Sequence, residues 1–245
     1  MINIVFFAWA LWLKISASHL SFVKPELIEH GDRDKKLVAL TFDACMTPRM
    51  KDELEKGSVP SWYNKKVVDI LRENKVPATF FVSGLWAKSY PEVVKNWFND
   101  KDNLFEIENH SWDHAAMKTP CYGLADAKNR DQEITLTQNE LFGLTGIFPK
   151  YFRFPGGCYN PEDLTLLSKF GMKAVDWDVI SGDAFLKNPE KIKAEVLSKT
   201  QNGSIVIMHV VGGRTAPATA EALQGIIDGL TEKGFKFVKV EELFN

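Results

Sequence analysis

The sequence predicts a single α/β domain folded as a parallel (β/α) barrel, on three observations. Short runs rich in β-branched and aromatic residues recur between helix-like segments, several of these runs are apolar at successive positions, and acids and histidines collect where the runs end. Seven strands are expected, at residues 37–42, 78–83, 105–108, 151–154, 173–179, 204–208 and 236–240. Ser204-Ile205-Val206-Ile207-Met208 lacks polar alternation, as a strand covered on both faces should, which points to a parallel sheet. The repeated order of strand then helix favours a barrel over an open doubly wound sheet.

The helices carry their own punctuation. Asn160-Pro161 offers an N-cap followed by a first-turn proline, and Gly171 closes that segment after Leu164, Leu167 and Phe170. Asn188-Pro189 repeats the start signal. Residues 130–144 place Ile134, Thr137, Leu141 and Leu144 on one helical face, the stripe a helix buries against a sheet. Residues 45–62 read as a long polar loop after the first strand, expected to wall a site.

The 245 residues are 45% hydrophobic and 25% charged, enough for one large core and therefore one domain. A net charge of -2 and no basic stripe exclude nucleic acid as an expected partner. Residues 1–17 resemble a signal peptide: an apolar run from Ile2 to Leu13, then small residues near Ala17, although no Lys or Arg precedes the run. Export to a periplasmic or extracellular space follows, with membrane attachment only if that segment stays uncleaved. Residues 18–36 are read as an extension and 37–245 as the catalytic domain. Cys45, Cys121 and Cys158 form no C-x-x-C motif, so a cysteine zinc site is not expected; in an oxidising compartment Cys45–Cys121 is the first pair to test, against three inert buried thiols.

Catalytic groups in parallel α/β proteins sit where strands end. Here Asp43, Glu108-Asn109-His110, Arg153, Asp178, Asp183 and His209 fall at or just beyond predicted strand ends. A lone histidine or acid there is ordinarily a satisfied core group; several on one barrel end are not so explained. His110-Ser111-Trp112-Asp113-His114 spaces two imidazoles four residues apart, which suits chelation of a divalent ion.

Taken in order, these motifs resemble the polysaccharide deacetylase family, carbohydrate esterase family 4, over residues 37–242. Thr41-Phe42-Asp43 is similar to its first motif, His110 to His114 to its His-Ser/Thr-x-x-His metal motif, and Arg153-Phe154-Pro155 with Asn160 to its Arg-x-Pro motif. Asp183, after Trp177, and Ile207-Met208-His209 are similar to the last two. The resemblance implies a distorted (β/α)7 barrel that removes N-acetyl groups from amino sugars of a cell-wall or surface polysaccharide, with a divalent metal, zinc by preference. It implies Asp43 as general base, Arg153 as the group that orients Asp43, His209 as general acid and Asp183 as its partner. Trp112, lying between the metal histidines, is expected to line the substrate groove with Pro155 and Tyr159; Trp62, Trp86 and Trp177 are further aromatics near the site, at least half of the five being packing residues.

One departure stands out. The family's first motif reads Thr-Phe-Asp-Asp-Gly, whereas this chain has Ala44 and Cys45 after Asp43, so the usual third metal ligand is missing. Asp43 itself is the first candidate to complete His110 and His114; Asp113 or Asn64, the Cys45 thiolate, or water are the others. If Asp43 is a ligand, Asp113 or Asp178 becomes the candidate base. Two alternatives stay open: a metal amidase acting on a lipid-linked or small N-acyl compound, and a non-catalytic carbohydrate-binding relative.

Overall fold

The computed structural model describes residues 24–244, so the predicted signal segment lies outside the described residues. The nine strands among the described residues run parallel where they pair: β1 (Leu27–Ile28), β2 (Leu37–Ala44), β3 (Ala78–Val82), β4 (Phe105–Asn109), β5 (Tyr151–Phe152), β6 (Lys173–Val175), β7 (Val179–Ile180), β8 (Ser204–His209) and β9 (Lys236–Phe237). Their order is β1-β6-β5-β4-β3-β2-β8-β7, with β9 pairing the start of β2. Helices α1 (Pro48–Glu55), α2 (Lys65–Glu73), α3 (Gly84–Ser89), α4 (Pro91–Phe98), α5 (Arg130–Thr145), α6 (Pro161–Lys169), α7 (Pro189–Lys199) and α8 (Thr219–Glu232) fill the connections.

The sheet curls into an incomplete barrel. Val175 ends β6 and Val179 begins β7, on opposite flanks of the sheet, yet only residues 176–178 join them. Such a short link spans at most about 14 Å, so the two flanks must face each other. The predicted strand at 173–179 is therefore two strands. Its middle seals the seam: the Asp176 N–H donates to the Ile28 carbonyl and the Asp178 N–H to that of Ile205. The Asp178 carboxylate accepts from Arg33, Ser204 and the Ile205 N–H, so Asp178 ties the seam and is not a spare base. The stretch read as an extension contributes both Arg33 and β1 to this closure.

Alternation along the strands separates two cores. Val38, Leu40 and Phe42 of β2, Phe80 of β3 and Met208 of β8 pack outward with α2 and α8 residues such as Leu71 and Ile226. Ala39, Phe81 and Ile205 face inward. On the same inward parity, further along the strands, lie Thr41, Asp43 and His209, so the barrel mouth becomes polar without interrupting the helix-facing layer.

The helix signals hold. Asn160 forms a capping box with Asp163 before Pro161, Asn188 caps α7, and α5 runs from an Asn129 cap to left-handed Gly146. The expected loop at 45–62 contains α1, capped by Thr47 with Pro48 in its first turn. Trp62 and Trp86 are core residues.

The disulfide joins Cys121 to Cys158, not Cys45 to Cys121, and Cys45 is a free buried thiol. The reason is topological: Cys121 follows β4 and Cys158 follows the neighbouring β5, which brings their loops together, whereas Cys45 directly follows β2 at the barrel mouth. With a sequence separation of 37 between the cysteines, replacing both by serine is expected to lower unfolding free energy by about 2–4 kcal/mol, read as an earlier denaturant midpoint.

Candidate metal centre and acid–base site

Asp43 ends β2 in register with His209 of β8. Its Oδ1 accepts from Arg153 Nη1 at 2.8 Å. The same nitrogen lies 2.8 Å from Thr41 Oγ1, while Nε and Nη2 reach the carbonyls of Val175 and Asp176. The Arg153 guanidinium is fully buried, its carbon 3.9 Å from the Phe81 ring centroid. Burial would push the Asp43 carboxyl up, but Arg153 with His110 and His209 holds it below its ordinary range.

His110 leaves β4 and its Nδ1 lies 2.9 Å from the Arg153 carbonyl. A carbonyl only accepts, so Nδ1 carries the proton and Nε2 presents a lone pair. That Nε2 is buried without a hydrogen-bond partner, 3.5 Å from Asp43 Oδ2. The His-x-x-x-His segment is a loop rather than a helix, with Ser111 at φ 65° and His114 at φ 62°. Left-handed conformations outside glycine are strained and need external support. Here the Asn109 side chain accepts from the Ser111 N–H, Ser111 Oγ accepts from the His114 N–H, and the Glu133 carboxylate accepts from the N–H groups of Trp112 and Asp113. Burial and the nearby Asp113 push Glu133 up to about 7.

This turn brings the two imidazoles to 4.9 Å between centroids, and His114 Nδ1 is also buried without a partner. Cys45 Sγ joins them: one donor atom from each of Cys45, His110 and His114 lies within 4.8 Å of the others. Two imidazoles that each carry an unpartnered buried nitrogen, gathered with a sulfur, fit a divalent metal ion. Asp43, the first sequence candidate for third ligand, is outside that cluster: Arg153 holds its Oδ1, and its Oδ2 lies 3.5 Å from His110 Nε2. Asn64 stands at the start of α2 with its side chain against Gly212, and Asp113 is also outside the cluster.

On the facing wall, His209 Nδ1 lies 2.8 Å from Asp183 Oδ1. Asp183 is fixed by the His209 N–H, Ser181 Oγ and Thr219 Oγ1. Although burial opposes charge on the ring, Asp183 raises His209 well above its ordinary value. Asp176, absent from the sequence reading, is raised to about 6 by burial, against the pull of Arg153. Thr219 was likewise missed; both lie outside the motifs and reach the site only through tertiary structure.

A pocket of about 340 Å³ opens onto Asp43, Cys45, His114, Asp183 and His209. Thr47 and Met50 from the 45–62 segment do wall it. Its apolar side is formed by Tyr122, Leu124, Trp177, Ile180 and Phe185. The expected groove residues are elsewhere: Trp112 packs against Gly84, Pro155 is buried in a short 3-10 turn, and Tyr159 stacks on Phe154. Adjacency in sequence misled for Trp112, because positive φ at Ser111 and His114 turns the histidines in while the intervening ring rests on α3.

A curled parallel barrel with imidazole, thiol and carboxyl groups at its mouth defines a class of metal-site α/β proteins. The sequence profile of the polysaccharide deacetylase family matches residues 30–175, and the chain belongs to that family. It is 28% identical over 227 residues to the uncharacterized protein YlxY of Bacillus subtilis, covering 93% of this chain and 63% of that protein. It is 29% identical over 216 residues to the peptidoglycan-N-acetylglucosamine deacetylase PgdA of Listeria monocytogenes, covering 86% of this chain and 40% of PgdA. The chain thus spans less than two thirds of either curated relative. Among solved structures, BA3943 of Bacillus anthracis, described as a family 4 carbohydrate esterase pseudoenzyme, superposes with a TM-score of 0.73 at 26% identity, covering 91% of this chain and 70% of that one.

The two ion pairs respond oppositely to pH. The raised His209 contributes stability in full below its ordinary 6.5 and loses it as pH rises through the folded value. The depressed Asp43 contributes above its ordinary 3.8 and loses it as pH falls through the folded value. In metal-free protein, NMR of the histidine rings should show His209 protonated through neutral pH, and Asp183→Asn should bring its midpoint back toward 6.5. An unchanged midpoint in that variant would exclude Asp183 as the cause.

Proposed function

We propose that this protein is a metal-dependent hydrolase that removes N-acetyl groups from amino sugars of a cell-wall or surface polysaccharide. The observation that carries the reading is the pair of buried, oppositely tuned groups on one pocket: Asp43 kept ionised by Arg153, and His209 kept protonated by Asp183. Divergent protonation of neighbouring groups is what acid–base catalysis at one bond requires. Family membership and the similarity to PgdA support the substrate class.

In this mechanism Asp43 accepts the proton of the water that attacks the acetamide carbon. His209 donates its proton to the nitrogen as the carbon–nitrogen bond breaks, leaving acetate and a free amine. Arg153 positions Asp43, and Asp183 positions and charges His209. His110 and His114 would hold the metal, zinc by preference. When bound, such an ion supplies Lewis acidity to the carbonyl and lowers the pKa of water. Export is supported by the signal-like residues 2–17; among the described residues no helix is long and apolar enough to cross a membrane.

A second reading, a non-catalytic relative, is favoured by Ala44 and by the likeness to BA3943, a mutant of which is described as having restored enzymatic activity. Acetate release from N-acetylglucosamine oligomers and from peptidoglycan separates the two. The hydrolase reading expects chelator-sensitive release that falls roughly 10²–10⁴-fold in Asp43→Asn or His209→Ala. The non-catalytic reading expects no release from the native chain and its appearance in Ala44→Asp.

A further inference from the structure

The family's second first-motif acid is absent here, and the residue one place further on has changed as well: Ala44 is followed by Cys45. Ala44 is fully buried and presents only a methyl group. Cys45 lies at the floor of the pocket, 5% exposed, with its sulfur among the donor atoms of His110 and His114. A lone buried thiol is ordinarily a small packing group. This one differs because a ring nitrogen of each of His110 and His114 lies within 4.8 Å of its sulfur, and both rings carry a buried nitrogen without a hydrogen-bond partner.

We infer that Cys45 is the third metal ligand, so that this chain holds its ion through one sulfur and two imidazole nitrogens where relatives with the full first motif have a carboxylate available. Of the two carboxylate candidates, Asp113 lies outside the cluster, and Asp43, also outside it, has Oδ1 bound by Arg153 in a fully buried contact and Oδ2 3.5 Å from His110 Nε2. The His110 ring is oriented from behind by the Arg153 carbonyl, which fixes the tautomer that leaves Nε2 free. Cys45 and His114 both border the pocket, so an ion held by them would be accessible from it, as in a catalytic zinc site. The exchange of oxygen for sulfur changes metal choice. Thiolate and imidazole donors favour zinc or cobalt over magnesium, calcium and manganese, which suit oxygen. The inference stands apart from the deacetylase reading, because a non-catalytic relative with these residues holds the same ion.

Cobalt(II) titration of chelator-stripped protein tests it directly, followed by absorption spectroscopy with the Cys121–Cys158 disulfide intact. The chain has three cysteines and two are paired, so a sulfur-to-cobalt charge-transfer band in the near ultraviolet can only come from Cys45. The expected result is that band at one cobalt per chain, its loss in Cys45→Ser and Cys45→Asp, and its displacement by zinc but not by excess magnesium. His110→Ala should lose the band together with tight binding. Cobalt binding without the band, no binding at all, or a band that survives in either folded Cys45 variant would overturn the inference. Should both variants fail to fold, the native spectrum alone decides it.

Discussion

The buried guanidinium of Arg153 is the contact on which the rest of the site depends. It reaches from β5 to Asp43 and Thr41 on β2, across two intervening strands, and to the carbonyls of Val175 and Asp176 at the barrel seam. Flat strands so spaced would lie about 14 Å apart, beyond the side chain's reach, so the contact exists only in a curled sheet. Its own backbone carbonyl orients His110. One residue thereby couples the curvature of the barrel, the ionisation of Asp43 and the tautomer of a metal-site histidine. Removing one partner of a buried pair costs more than the pair contributes, because the remaining charge is stranded.

The same coupling divides labour at the mouth. Asp43 is held on the Arg153 side, while Cys45, two residues on, is placed with His110 and His114. On the opposite wall Asp183 satisfies three polar partners at once, fixing His209 as well as charging it. The side chains of the acidic and basic halves are thus held by different partners, while the β2–β8 ladder sets Asp43 and His209 in register.

The elements with strong local signals were legible in the sequence: the continuous apolar run of β8, the Asn-Pro starts of α6 and α7, and the strand-end positions of Asp43, Arg153, Asp183 and His209. What failed was set by tertiary geometry. The 173–179 run is β-prone throughout, and only seam hydrogen bonds from Asp176 and Asp178 divide it. The Trp112 ring turned away because of positive φ on either side, which the residue types Ser and His do not announce. The cysteine pairing followed strand neighbourhood, since β4 lies beside β5, a relation that spacing along the chain does not encode.

Arg153 holds Asp43 in its ionised form at the barrel mouth. The most direct test is a carboxyl-carbon NMR titration of aspartate-labelled protein, native and Arg153→Lys. Asp43 is expected to titrate below its ordinary 3.8 in the native protein and higher in the variant, because lysine cannot reproduce the planar, multiply bonded contact. An Asp43 midpoint at or above 3.8 in the native protein, or one that Arg153→Lys leaves unmoved, would contradict it.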